Sequence, residues 1–195
     1  MDSSLILASH SPRRRELLAA ARFDFETVSA EVSERFDVDL TLRELTLFNA
    51  HRKAAAIARL RPEAVVLAAD TLVALEGKVI GKPRDLNHAA EILQRLSGRV
   101  HEVCSAVVIS HLASARSISF HDISHVRFQR LSKDKIDSYL AKINPLDKAG
   151  AYAAQGHGAD IIAEIQGSFT NVVGLPMEKT VRALREFGVK HIGKG

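Results

Sequence analysis

The longest uninterrupted apolar run in this chain extends from Ala64 to Ala69 and stops at Asp70. It falls far short of the roughly 20 residues that span a bilayer, so it reads as a buried strand with a carboxylate at its end. Leu5 to Ala8 reads as a second short buried strand, followed by the turn Ser9-His10-Ser11-Pro12. Helices to flank such strands are clearly signalled. Ser11 is a good N-cap and Pro12 suits the first helical position, with Leu17, Leu18 and Ala21 as the apolar stripe. Thr41-Leu42-Arg43-Glu44 is a capping box that opens a helix running to about Arg59. Asp85 caps a helix carrying Ala89, Ile92, Leu93 and Leu96, stopped by Gly98. Ser132 caps another through Ile136, Tyr139 and Leu140, and residues 177–187 form a last amphipathic helix.

Further strands are expected over residues 25–29, 100–110, 117–128 and 161–165. Residues 72–75 and 78–80 flank Glu76-Gly77 as a hairpin. Strands and helices are mixed without strict alternation, which predicts an α/β fold with a mixed twisted sheet flanked by helices. No repeat, linker or low-complexity tract interrupts the series, so residues 1–195 are expected to form one domain.

Composition narrows the function. Hydrophobic residues make up 46 % of the 195, enough for a real core. The net charge of +4 is a weak field for a 21.3 kDa chain, although the sequence pI is about 9.4. Two Tyr, eight Phe and no Trp offer little for base stacking, so nucleic acid is not the expected partner. The lone Cys104 makes neither an intramolecular disulfide nor a zinc ribbon. Met-Asp-Ser-Ser lacks the basic and apolar stretches of a secretory signal. These features predict a soluble protein of the reducing cytoplasm.

Several residues then stand out. Arg13, Arg14 and Arg15 crowd the first turn of a helix, where each cation costs about 0.3–1 kcal/mol. An anion bound there relieves the conflict, since helix N-termini and forked guanidiniums both suit phosphate. Alternatively the long side chains bend into water, with Glu16 offsetting part of the charge. Asp70 either holds Mg²⁺, serves as base to a water, or caps a turn. Glu31 and Glu34 supply a further metal carboxylate or are simply solvated loop acids. Lys53 shares a helix face with Leu45 and Asn49, and either reaches phosphate or snorkels. Lys82 sits in a turn that Pro83 keeps extended. Residues 147–156 are unusually small, which admits close approach of a ligand or makes a tight packing corner; Gln155 there can read a base edge. In residues 167–176, Asn and Gly shape a turn before the last helix. The chain has no G-x-x-x-x-G-K-[ST], G-x-G-x-x-G or H-E-x-x-H pattern.

Taken together, Leu5 to Leu18, Arg52-Lys53-Ala54, Leu67 to Thr71, Gly81-Lys82-Pro83, Leu96-Ser97-Gly98 with His101, Asp147 to Gly156 and Asn171 to Pro176 resemble the Maf family. These are house-cleaning nucleotide pyrophosphatases historically linked to septum formation. The resemblance implies an inosine-triphosphatase-like fold, two lobes around a deep cleft, commonly a dimer, and a divalent cation such as Mg²⁺ or Mn²⁺. It implies hydrolysis of a nucleoside triphosphate to the monophosphate and pyrophosphate. By the same resemblance Asp70 is the proton acceptor. Arg13, Thr71 and Gln155 select the substrate, Arg14, Lys53 and Lys82 contact phosphate, and Glu34 with Asp70 serves the metal.

Asp147 to Tyr152 with Gln155 resembles the branch acting on dTTP and UTP. Two departures stand against the family pattern. His10 replaces a small residue between the serines, and Ser33 replaces an acid before Glu34, which leaves Glu34 more solely responsible for metal. The alternatives are action on 7-methyl-GTP or modified nucleotides, or a regulator of septum formation that binds nucleotide or nucleic acid without turnover.

Overall fold

The computed structural model describes residues 4–36 and 39–191. Their strands are β1 (Leu5–Leu7), β2 (Glu26–Thr27), β3 (Val65–Leu75), β4 (Lys78–Ile80), β5 (Val100–His111), β6 (Arg116–Phe128) and β7 (Ile162–Gln166). Their helices are α1 (Pro12–Ala20), α2 (Leu42–Leu60), α3 (Leu86–Leu96), α4 (Lys133–Leu140), α5 (Phe169–Val173) and α6 (Met177–Glu186). The sheet is mixed, in the order β2-β1-β3-β5-β6-β7, with β4 on β3. β1 pairs in parallel with β2 and β3, whereas β3–β4 and β6–β7 are antiparallel. The chain divides into two compact units, one of residues 4–70, 105–122 and 174–191, the other of residues 71–104 and 123–173.

In the first unit, the two-residue period of a strand sorts side chains onto two faces. Leu5, Leu7, Val65, Leu67 and Ala69 pack with Leu18 of α1 and with Ala183 and Leu184 of α6. Ile6, Ala8, Val66 and Ala68 pack instead with Ala50, Ala54, Ile57 and Ala58 of α2. Asp70 has the parity of Val66 and Ala68, so it faces α2. That helix begins at the expected capping box: Thr41 Oγ1 accepts from the Glu44 N–H at 3.3 Å, and Glu44 accepts from the Thr41 N–H at 2.9 Å. Its buried residues Thr46, Asn49, Ala50, Lys53, Ala54 and Ile57 follow helical spacing.

Three elements differ from expectation. β3 does not end before Asp70. It runs on as one strand to Leu75, and Asp70 lies midway between Leu67, the last residue paired to β1, and Val73, the first paired to β4. A new partner thus takes over the ladder and keeps the backbone extended past the charge. β2 shrinks to two paired residues because β1 itself spans only Leu5–Leu7. Residues 169–173, read as part of a turn, form the short helix α5.

In the second unit, Val73, Leu75 and Ile80 pack with Ala89, Ile92, Leu93 and Leu96 of α3 and with Ile136 and Tyr139 of α4. His101, Phe128 and Tyr152 stack edge-on, with ring centroids 4.8, 5.4 and 4.9 Å apart. His101 Nε2 lies 2.9 Å from the Tyr152 hydroxyl, while its buried Nδ1 has no hydrogen-bond partner. Cys104 is fully buried in β5. No helix among the described residues is long and apolar enough to cross a membrane.

Burial pushes the His101 pKa from its ordinary 6.5 down to about 4, so the folded chain holds a neutral ring. Between pH 6.5 and about 4 the unfolded chain binds the proton that the folded chain refuses. Stability therefore falls as pH drops through that window, by at most about 1.4 kcal/mol per pH unit. Urea unfolding of the wild type and of His101→Gln at pH 7 and pH 5 checks this: the wild type should lose more of its stability on acidification than the variant does.

Candidate functional site

One turn of α2 organises the acidic cluster of the first unit. Asn49, Arg52 and Lys53 lie three and four residues apart, so they share a face. Each pins part of the irregular segment that carries Glu34. Asn49 Oδ1 accepts from the Arg35 N–H at 2.9 Å, and its Nδ2 donates to the Arg35 carbonyl at 3.1 Å. Arg52 Nη1 donates to the Ser33 carbonyl at 2.6 Å. Lys53 Nζ donates to Glu34 Oε1 at 2.8 Å and to Asp70 Oδ1 at 2.6 Å. The second Asp70 oxygen receives a longer bond, 3.4 Å, from Asn49 Nδ2.

The Lys53–Asp70 pair is buried, while Glu34 at its edge is half-buried. Asp70 is 2 % exposed and Lys53 9 %. Burial pushes the Asp70 carboxyl up from its ordinary value, and the Lys53 ammonium works against that rise while the Glu34 charge adds to it. The result is a carboxylate that is more basic than usual yet has its own counter-ion.

The three arginines of α1 do not behave alike. Arg15 is exposed, Arg13 is half-buried, and Arg14 turns inward beside Leu18. Arg14 Nε donates to the Gly174 carbonyl at 2.8 Å and Nη1 to Ser9 Oγ at 3.3 Å. Burial pulls its pKa down, while the charges of Asp70 and Glu34 support the guanidinium and Arg13 opposes it. Part of the crowding expected at this helix end is thus relieved by protein groups, a carbonyl and two carboxylates.

Arg14, Glu34, Lys53 and Asp70 are therefore brought together. Thr71, Lys82 and Gln155 belong to the second unit. Thr71 follows Asp70 in β3 and points to the opposite face of that strand. Lys82 is exposed after β4, and Gln155 is half-buried in the loop after α4. The neighbouring Gly81 carbonyl accepts from the Gly150 N–H at 3.2 Å, which ties the Lys82 turn to the Gln155 loop. Glu31 is exposed. Sequence reasoning did not assign Asn49, Ser9 or Gly174 to the site; the only signal was that Asn49 shares the Lys53 face.

The cation implied by the resemblance suits this donor set. Asp70 and Glu34 each bond the same Lys53 ammonium, so their carboxylates lie close together. Such oxygens are hard ligands of the kind Mg²⁺ and Mn²⁺ prefer. Among the described residues no group of three or more His, Cys, Asp or Glu gathers as a ready cage.

Comparison with known proteins adds an independent line. Residues 4–187 match the family described as Maf-like protein. The dTTP/UTP pyrophosphatase of Bacillus velezensis is 44 % identical over 190 residues, covering 97 % of this chain and 100 % of that protein. That of Carboxydothermus hydrogenoformans is 46 % identical over 184 residues, covering 94 % of this chain and 98 % of that protein. In fold, the chain is similar to the Ham1 protein of Staphylococcus aureus, with a TM-score of 0.54 at 14 % identity over 95 % of this chain and 100 % of that one. The HAM1 protein of Coxiella burnetii gives 0.53, also at 14 % identity, over 94 % and 99 % of the two chains.

Removing one partner of a buried ion group strands the others, which costs about 3–5 kcal/mol. Lys53→Met should destabilise the chain by about that amount, because it removes the ammonium that bridges Asp70 and Glu34. Adding Asp70→Asn to Lys53→Met should recover part of the loss. Chemical denaturation of both single variants and the double variant checks the coupling.

Proposed function

Since the chain belongs to the family of Maf-like proteins, we propose that it hydrolyses dTTP and UTP to the nucleoside monophosphate and pyrophosphate, clearing cytoplasmic nucleotide pools. The observation that carries this reading is the buried Lys53–Asp70 pair with the half-buried Glu34 beside it, and Arg14 close enough to feel both acids.

In this reading Asp70 accepts the proton of the attacking water. Burial raises its basicity, and Lys53 keeps it ionised until the proton arrives. Asn49 holds the other oxygen and so fixes the plane of the carboxylate. Glu34 and Asp70 would hold Mg²⁺ or Mn²⁺ through their carboxylate oxygens. When bound, that cation neutralises triphosphate charge and polarises the α-phosphorus. Of its two tasks the proton-accepting one comes first for Asp70, since direct ligation lowers a carboxylate's basicity.

The cationic groups answer the other half of the reaction. Arg14 and Lys53 stabilise charge developing on the leaving pyrophosphate through their positive charge. Lys82 is assigned to phosphate as well. Arg13, Thr71 and Gln155 are assigned to the choice of nucleoside, Gln155 through the donor and acceptor of its amide.

Pyrophosphate release from dTTP, UTP, CTP, GTP and 7-methyl-GTP, with and without Mg²⁺ and Mn²⁺, tests the reading. dTTP and UTP should turn over fastest, and only with a divalent cation. Asp70→Asn should lower kcat by about 10²–10⁴-fold with an unchanged circular dichroism spectrum. Preference for the methylated purine would overturn the substrate assignment, and equal rates for wild type and Asp70→Asn would remove Asp70 from the chemistry.

A further inference from the structure

The loop after α4 closes on itself at a single residue. Tyr139, on α4 and 1 % exposed, uses one hydroxyl for both polar groups of Ala153. It accepts from the Ala153 N–H at 3.0 Å and donates to the Ala153 carbonyl at 3.3 Å. From the other side the chain returns at Gly158, where a Cβ would lie 2.9 Å from that same carbonyl oxygen and 3.4 Å from Ile162 Cδ1. The neighbour is backbone, so any side chain at 158 must move the Ala153 peptide. Between these two contact points stand Gln155 and Gly156, the latter at φ +65°.

The flanks of the loop are fastened too. Tyr152 is held by His101, and the Gly150 N–H is held by the Gly81 carbonyl. Lys142 pairs with Asp160 at 2.9 Å, and Gln129 Nε2 donates to the Ala159 carbonyl at 3.3 Å. A solvated surface loop needs none of these anchors. One that must present a long amide at a fixed position does, because a Gln side chain is rich in rotamers and its reach is set by the backbone beneath it.

We propose that Tyr139 and Gly158 are positioning residues for nucleobase selection: by locking Ala153 between them, they set where Gln155 is presented. The inference rests on the reading that Gln155 reads the base. Both residues are buried, and each acts through the Ala153 peptide. A site built to hydrogen-bond its substrate discriminates by leaving polar groups unpaired when the wrong base enters, and a small misplacement weakens that discrimination.

Steady-state kinetics on dTTP, UTP and CTP test this with Tyr139→Phe, which keeps the ring and removes the hydroxyl, and Gly158→Ala, which pushes the peptide. For both variants the KM for dTTP and UTP should rise about tenfold, and preference over CTP should fall by a similar factor. Saturated kcat should stay within about threefold of wild type. In a Gln155→Ala background neither change should lower the preference further, an outcome that general loosening of the fold does not produce. Calorimetry with an α,β-methylene dTTP analogue gives the same comparison without turnover. Wild-type KM and preference in Tyr139→Phe and Gly158→Ala, alongside a loss in Gln155→Ala, would overturn the inference and spare its premise. Unchanged preference in Gln155→Ala would overturn the premise and the inference with it.

Discussion

A single ammonium held between two carboxylates is the interaction on which the first unit depends. Asp70 occupies the middle of a buried strand, a position that a lone charge cannot hold in an apolar sheet. Lys53 makes it tenable and, through Glu34, fastens an irregular segment to the same face of α2. The strand can therefore pass through Asp70 instead of ending there. The cost of assembling like charges in a largely buried place is met by Lys53, by the Arg14 charge nearby and by Asn49, whose amide ties the Glu34 segment to Asp70. What makes the cluster structurally demanding also makes it chemically useful, since burial raises the basicity of an acid whose charge is still balanced.

The second unit solves a different problem with neutral groups. Its apolar core is interrupted by a histidine ring and two phenols, and each phenol fastens the loop of small residues that follows α4. Tight approach there comes from Gly150, at φ +73°, whose Cβ would press on the Tyr152 ring, and from Gly158. Small residues in this loop thus serve tight packing, one of the two readings open at the level of sequence.

Much of the fold was legible because local signals agreed with one another. The capping box at Thr41, the N-caps at Ser11, Asp85 and Ser132, and the helical spacing of α3 each reappear in the structure. Asp70 and Lys53 were legible as candidates because a charge bounding an apolar run and a lysine on an apolar helix face are both anomalies. Their direct bond was not, since it depends on the strand parity that turns Asp70 toward α2. Asn49 hid for the same reason: its partners, Arg35 and Asp70, lie 14 and 21 positions away in the chain. The arginine run was legible as a conflict, but only the packing of Arg14 against Gly174 and Ser9 separates it from its neighbours. The break expected in β3 at Asp70 failed because both the β4 pairing and the Lys53 counter-ion come from other elements and cannot be read from the strand's own residues.

The central claim is that the Lys53–Asp70–Glu34 group directs water to the α-phosphorus of a pyrimidine nucleoside triphosphate. Hydrolysis of dTTP in ¹⁸O-labelled water, followed by ³¹P NMR of the products, tests it most directly. The account predicts that the heavy oxygen appears in the nucleoside monophosphate and that the pyrophosphate carries none. Label in the pyrophosphate instead would place the attack at the β-phosphorus and contradict it.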